Sequence, residues 1–287
     1  MEVVRDVPAL RALVAAARQR GERVGFVPTM GALHAGHLSL LERARRTCEC
    51  VVLSIFVNPL QFSPTEDLAA YPRTEDDDLA AATAHGATIA FVPSVEVMYP
   101  APRVVSVVPE SIADRWEGAV RPGHFAGVLT VVTKLFNLVQ PDLAIFGQKD
   151  LQQATLIRSL VRDLDVPLIV DVAPIVREPD GLALSSRNRY LSVEARAAAR
   201  QLSAALRAMA SAFDAGERDT RTLCAIGRVE TGQSPMVQLD YLDVVDGARL
   251  ELVPRAGDEC FAIIAARVGT TRLLDNHRFG DPFPALP

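Results

Sequence analysis

A parallel α/β sheet followed by a smaller α+β domain is the fold class this sequence predicts, and two patterns predict it. Short, nearly continuous apolar runs alternate with stretches of helical period through the first part of the chain. That alternation suits strands buried on both faces and joined by helical crossovers. Beyond residue 176 the texture changes to a Gly/Ser/Asn/Arg segment, an Ala-rich helix and alternating strands, which suits antiparallel pairing. The expected domains are therefore residues 1–176 and 177–287.

Taken in order, residues 8–20 read as a helix and 24–28 (VGFVP) as the first strand. The second strand covers 51–57 (VVLSIFV), rich in β-branched residues and closed by Asn58-Pro59. Residues 88–92 (TIAFV), 143–146 (LAIF) and 168–172 (LIVDV) supply three more. Helical period fills 38–48, 76–85, 128–139 and 152–163. In the second part, 193–215 reads as a helix stopped by Gly216. Strands follow at 237–245 and 260–268, and the Pro-rich tail at 281–287 is expected to fray.

Composition narrows the class. With 49% hydrophobic and 23% charged residues, a mostly disordered chain is excluded. Thirty Lys+Arg against 35 Asp+Glu leave a net charge of -5. This argues against a broadly basic nucleic-acid binder but leaves room for a local cationic phosphate site. The start of the chain places Asp6 and several Arg among its apolar residues, unlike a signal peptide. No apolar run approaches the roughly 20 residues needed to span a bilayer, so no membrane partner is expected. Cys48, Cys50, Cys224 and Cys260 have neither metal nor disulfide spacing. They read as reduced structural thiols of a cytoplasmic protein.

Several segments follow strands and could carry chemistry. Residues 28–37 (PTMGALHAGH) leave the first strand and open a helix. Ligands of open α/β sheets sit beyond the carboxyl ends of the strands, and a helix N-terminus offers N–H groups to anions. His34 and His37, three apart, are expected to share a helical face. Asn58 and Gln61 follow the second strand and could hold a small polar ligand, although Asn-Pro is also an ordinary turn former. Residues 71–78 (YPRTEDDD) hold consecutive carboxylates that suggest Mg²⁺. Successive helical residues diverge by about 100°, however, so a capped helix start with Thr74 as N-cap is the favoured reading. Arg121 and His124 flank a Pro-Gly turn, and Lys149 and Asp150 follow the fourth strand, with Asp150 a candidate cap. In 180–188 (DGLALSSRN), Ser185, Ser186 and Arg187 could clamp phosphate, or the segment could be a hinge. P-loop, GxGxxG, HExxH and GxSxG patterns do not occur.

The segments VPTMGALHAGH, SIFVNPLQF, YPRTEDDD, RPGHFAGVLTVVTKLFNLVQPD, FGQKDLQQ and DGLALSSRNRYLS occur in the order seen in the pantothenate synthetase (pantoate–β-alanine ligase) family. The resemblance is dense over residues 25–191 and continues more loosely to 271–276 (TRLLDN). It implies a Rossmann-like, cytidylyltransferase-like sheet of the HIGH-motif nucleotidyl transferases. HAGH stands at residues 34–37, and residues 184–187 resemble the KMSKS counterpart. Leu60 and Leu184 stand where Met is common, a volume-conserving exchange.

The resemblance implies ATP-dependent condensation of pantoate with β-alanine through pantoyl adenylate, releasing pyrophosphate and AMP. It implies that Met30, Gly31, Ala32, Leu33, His34, Ala35, Gly36 and His37 bind ATP, together with Gly147, Gln148, Lys149, Asp150, Val176, Leu184, Ser185, Ser186 and Arg187. His34, His37, Lys149, Ser185, Ser186 and Arg187 would act on the phosphates, with His37 the family's proton donor. Gln61 and Gln153 would hold pantoate, Gln61 also facing β-alanine, and Asn58, Arg121 and His124 are further substrate-side candidates. Mg²⁺ is implied as a companion of ATP, bound mostly through phosphates, and a homodimer is implied. A nucleotidyltransferase for another acid or alcohol, and a non-catalytic nucleotide-binding regulator, are the alternatives at this stage.

Overall fold

The computed structural model describes residues 1–63, 68, 69 and 71–283. Of the tail expected to fray, residues 284–287 lie outside the described residues. The chain divides into two compact units. The first holds Met1–Gly147 and Gln152–Ala173, and the second holds Gln148–Leu151 and Pro174–Pro287.

The first unit is built on a six-stranded sheet, parallel at every pairing. Its elements are β1 (Glu2–Val4), α1 (Val7–Gln19), β2 (Val24–Thr29), α2 (Ala35–Arg45), β3 (Cys50–Ile55), α3 (Glu75–Ala84) and β4 (Ile89–Phe91). There follow the short α4 (Val95–Met98) and α5 (Glu117–Val120), then α6 (His124–Val139), β5 (Leu143–Gly147), α7 (Leu151–Asp163) and β6 (Ile169–Ala173). The expected apolar runs are all strands of this sheet. β1 adds an edge strand whose three residues are too short to show a period. α1 starts where Asp6 accepts a hydrogen bond from Ala9 N–H at 2.8 Å. Its Leu10, Val14 and Ala17 are buried at helical spacing.

The strand order β1-β4-β3-β2-β5-β6 reverses direction of growth between β2 and β5, the topological switch point where α/β sheets open. The opening has a residue-level cause. Val24 C=O accepts from Asp142 N–H and Thr29 C=O accepts from Phe56 N–H. The even-numbered residues of β2 therefore direct their peptide groups toward β5. Pairing with β5 covers Gly25 and Phe26 only, whereas pairing with β3 runs on to Thr29. Pro28 has no N–H and would break a central ladder. It sits on the β5 side, past the point where that ladder has ended, so the strands part here without leaving an N–H of β2 unpaired at that position.

The second unit packs α8 (Val193–Asp214) and α9 (Thr220–Thr231) on the antiparallel sheet β7 (Val237–Val245), β8 (Phe261–Val268) and β9 (Thr271–Arg278). Ala195, Ala198, Ala199, Leu202, Leu206, Met209 and Phe213 form the buried stripe of α8. The helix ends at Ala215, and Gly216 at φ 103° accepts the left-handed turn. α9 was not anticipated, and neither was β9 as a strand. In β9 the buried residues include Asp275, Asn276 and His277, which hide the apolar alternation that marks a strand. The four cysteines are buried and unpaired. Burial pushes the thiols of Cys48 and Cys50 up, and that of Cys224 to about 11, which suits packing rather than reactivity. Among the described residues no helix is long and apolar enough to cross a membrane.

Leu206 is fully buried between α8 and the small sheet. Leu206→Ala is expected to destabilise the protein by about 2–5 kcal/mol. A lowered urea midpoint with unchanged slope measures it.

Candidate active site

The turn leaving β2 is held by its own hydrogen bonds. Gly31 and Ala32 both have positive φ, 84° and 50°. Left-handed backbone costs a non-glycine residue about 1–2 kcal/mol. Asp78, on the first turn of α3 and 3% exposed, offsets this cost. Its carboxylate accepts from Ala32 N–H at 2.9 Å and from Leu33 N–H at 2.7 Å. Hydrogen bonds to a charged group contribute about 1.5–3 kcal/mol each. A Cβ added at Gly31 would lie 3.0 Å from Asp78 Oδ2, so glycine suits this position by conformation and by space.

His34 and His37 emerge at the N-terminus of α2, but not as two residues of one helical face. His34 is the N-cap with extended backbone, and its Nδ1 accepts from Gly36 N–H at 3.1 Å. A nitrogen that accepts cannot hold the proton, so neutral His34 carries it on Nε2. His37 lies one turn on, with its ring centroid 4.1 Å from that of His34 and the planes 35° apart. Several backbone N–H groups of this turn are engaged within the protein. Gly31 N–H donates to Thr29 Oγ1, Ala32 and Leu33 to Asp78, Gly36 to His34 Nδ1, and His37 to His34 C=O.

The turn after β3 is tied to the one after β2. Gln61 Nε2 donates to Met30 Sδ at 3.0 Å, and Gln61 Oε1 accepts from Asn58 Nδ2 at 3.2 Å. By valence one amide proton and one lone pair of Gln61 remain for a ligand. Asn58 is 1% exposed. Its Nδ2 also reaches Gly127 C=O, and its Oδ1 accepts from Leu60 N–H and from Tyr99 O–H at 2.9 Å. Asn58 thus supports Gln61, its amide protons and its oxygen engaged within the protein. Burial pushes the Tyr99 phenol up to about 12, so it stays a donor at any physiological pH. The Gln61 carbonyl accepts from His124 Nδ1 at 2.8 Å and from Arg121 Nη2 at 3.2 Å. Arg121 Nη1 lies 3.0 Å from His124 Nε2. With Nδ1 donating to a carbonyl, Nε2 is the acceptor. Gly127 allows this approach of α6, since a Cβ there would stand 2.2 Å from Leu60 C=O.

Gln153, half-buried, follows Gln152 on the first turn of α7. Gln152 is buried and grips the preceding loop: Oε1 accepts from Glu117 N–H, and Nε2 donates to Ile112 and Arg115 C=O. Gly147 ends β5, where a Cβ would meet open space.

In the second unit, Gln148, Lys149 and Asp150 form one 3-10 turn, so Asp150 belongs to a separate turn before α7. Lys149 Nζ lies 3.8 Å from Asp150 Oδ1. Val176 C=O accepts from Leu184 N–H at 3.0 Å. Ser185 caps the 3-10 turn Ser186–Tyr190, its Oγ accepting from Arg187 N–H. Leu184, Ser185, Ser186 and Arg187 are all partly exposed.

The acidic run also differs from expectation in detail. Thr74 holds the N-cap position of α3 but makes no side-chain cap bond. Asp78 is a buried clamp, both its oxygens already accepting N–H bonds. Among the described residues no group of three His, Cys, Asp or Glu could hold a metal. Asp78, Tyr99, Gly127 and Gln152 are unassigned in the sequence because each acts on a partner far away in the chain.

A parallel sheet that opens at its switch point, with helices packed along it, defines a Rossmann-like α/β protein. The pantoate-beta-alanine ligase family model matches residues 2–278, and the chain belongs to that family. A pantothenate synthetase of Acidobacterium capsulatum is 54% identical over 258 residues, 90% of this chain and 86% of that protein. The crystal structure of pantothenate synthetase from Thermus thermophilus matches with a TM-score of 0.93 at 46% identity, covering 97% of this chain and 99% of that one. The pantoate-beta-alanine ligase of Francisella tularensis, solved with β-γ ATP and β-alanine, matches with a TM-score of 0.80 at 30% identity, covering 99% and 100%.

Asp78→Asn turns one accepting oxygen into a donor facing backbone N–H. It is expected to cost about 1–3 kcal/mol, read by denaturant unfolding, and to lower turnover. Gly127→Ala is expected to cost a further-reaching 1–3 kcal/mol or so by overpacking. Because it displaces Leu60 and Gln61, the KM for the acid substrate should rise with it.

Proposed function

We propose that this protein joins pantoate to β-alanine at the expense of ATP, through a pantoyl-adenylate intermediate. In the first step a pantoate carboxylate oxygen attacks the α-phosphorus, the bond to the β-phosphate oxygen breaks, and pyrophosphate leaves. In the second, the β-alanine amine attacks the acyl carbon, the acyl–oxygen bond breaks, AMP leaves, and the nitrogen loses a proton. Neither step needs a protein nucleophile. Both need alignment and stabilised charge on the phosphates.

The residues suit those needs. His34, with its proton on Nε2, and His37 offer ring N–H donors to the phosphates, His37 as proton donor. In this reading Met30 through His37, with Gly147, form the first unit's nucleotide-binding segment. Gln148, Lys149 and Asp150, with Val176 and Leu184 through Arg187, are the second unit's. Lys149 and Arg187 supply positive charge, and Ser185 and Ser186 supply hydroxyls. Gln61 and Gln153 hold pantoate with amides, which bind hydroxyls and carboxylate without like-charge repulsion. Arg121 and His124 fix the Gln61 peptide, and Asn58 its side chain. Mg²⁺ enters as part of the substrate, carried on the phosphate oxygens of ATP. We further assign the protein to the cytoplasm, as a homodimer.

The observation that carries this reading is the bond between Gln61 and Met30. It ties the amide proposed to hold the acid directly to the turn that bears the histidine pair. Supporting it are the family match and the ATP and β-alanine complex of the Francisella relative.

An assay with ATP, pantoate and β-alanine, omitting each in turn, tests the proposal. Pyrophosphate should appear with ATP and pantoate alone, and AMP should accumulate over many turnovers only with β-alanine present. Pantoate-independent pyrophosphate release would overturn it. His37→Ala and Lys149→Ala should each lower adenylate formation by about 10²–10³, the scale of losing one electrostatic donor.

A further inference from the structure

The segment 271–276 resembles the family yet carries none of the chemistry assigned above. In the structure it is β9, and its buried polar residues point to a use. Asn276 is 2% exposed. Its Nδ2 donates to the Gln148 carbonyl and to the Lys149 carbonyl, each at 3.0 Å. Its Oδ1 accepts from Gln148 Nε2 at 3.1 Å. Both amide protons are spent on the two peptide groups of one turn, and the side chain that spends them is short and buried.

Asn276 is itself held in place. The Arg177 guanidinium grips Asp275 with two hydrogen bonds, at 2.6 and 3.0 Å. Asp275 Oδ1 also accepts from Asn276 N–H at 2.8 Å. Arg177 is bridged through its backbone to Ala183, and its Nη1 donates to Gly181 C=O at 3.2 Å. Both side chains of the pair are almost fully buried, at 8% and 3% exposed. A buried ion pair contributes little net stability, because desolvation offsets the attraction. What a saturated buried network does supply is a fixed geometry.

We infer that Asn276, oriented by the Arg177–Asp275 pair, is a positioning residue for Lys149. The inference rests on the proposed function and goes beyond it by assigning the residue that aims the lysine. The lysine side chain is long and flexible, and its contact with Asp150 is 3.8 Å. Its direction is therefore set by the peptide planes on either side of it, and Asn276 fixes the carbonyls of both. The same array holds the 176–184 segment that leads to Ser185 and Arg187. One buried cluster thus presets both phosphate-facing segments of the second unit.

Pantoate-dependent exchange of pyrophosphate into ATP reads the first step, and aminolysis of preformed pantoyl adenylate reads the second. Wild-type protein without exchange would overturn the proposed function and leave the positioning role aside. Given wild-type exchange, Asn276→Ala should lower the exchange rate by about 10²-fold, the scale of a 1 Å misplacement, while aminolysis persists. On a Lys149→Ala background, Asn276→Ala should add less than about threefold, since both act through one amine. Full multiplication of the two losses, equal loss in both half-reactions, or an unaffected exchange rate would each refute the assignment. Should Asn276→Ala fail to fold, the isosteric Asn276→Asp carries the same comparisons, because it removes both donors while keeping the shape.

Discussion

The structure depends on the parting of β2 and β5. Two adjacent parallel strands at the centre of a sheet would ordinarily stay bonded along their whole length. Here the ladder stops after Phe26 and Ala144, and β2 continues for three residues bonded only to β3. Three of the segments proposed for the first unit's site hang from strand ends around that gap: the Met30–His37 turn, the Asn58–Gln61 turn and Gly147. A single imino acid makes the gap tolerable. Pro28 directs its missing N–H toward the side where no acceptor waits, so the opening leaves no orphaned donor at that position.

The loops around the gap share one building rule. Each is clamped by a buried or half-buried polar side chain whose hydrogen bonds are taken up within the protein. Asp78 holds the histidine turn, Asn58 and Tyr99 hold Gln61, and Gln152 holds the loop before α5. Preorganised donors stabilise a transition state only if they need not be rearranged when charge develops. A buried clamp provides this, and its own desolvation is compensated because nearly every polar atom finds a partner.

Much of this fold was legible in the chain. Five apolar runs marked five of the six strands of the first sheet, since burial on both faces leaves an unmistakable composition. β1 escaped because three residues cannot display a period. β9 escaped because Asp275, Asn276 and His277 are buried for their hydrogen bonds. The HAGH turn and Gln61 were legible because they follow strand ends. The clamps were not, because Asp78 sits in an acidic run that reads as an exposed helix start, and Asn276 lies 127 residues from the Lys149 carbonyl it holds. Likewise the pairing of His34 with His37 was anticipated, but its form was not. His34 is a cap held by Gly36, a geometry that residue spacing does not encode.

The path of the backbone carries one more consequence. After Gly147 the chain departs from the large sheet for four residues, which group with the small one, and then returns. Those four residues include Lys149, the lysine to which the proposed function gives a phosphate. A gene fragment ending near residue 173 would therefore encode a nucleotide-fold half deprived of the anchorage for its own lysine. Evolution could not have shuffled the two halves as independent modules without recreating that stitch, and anyone building chimeras from relatives of this protein will have to swap Gln148–Leu151 together with β9.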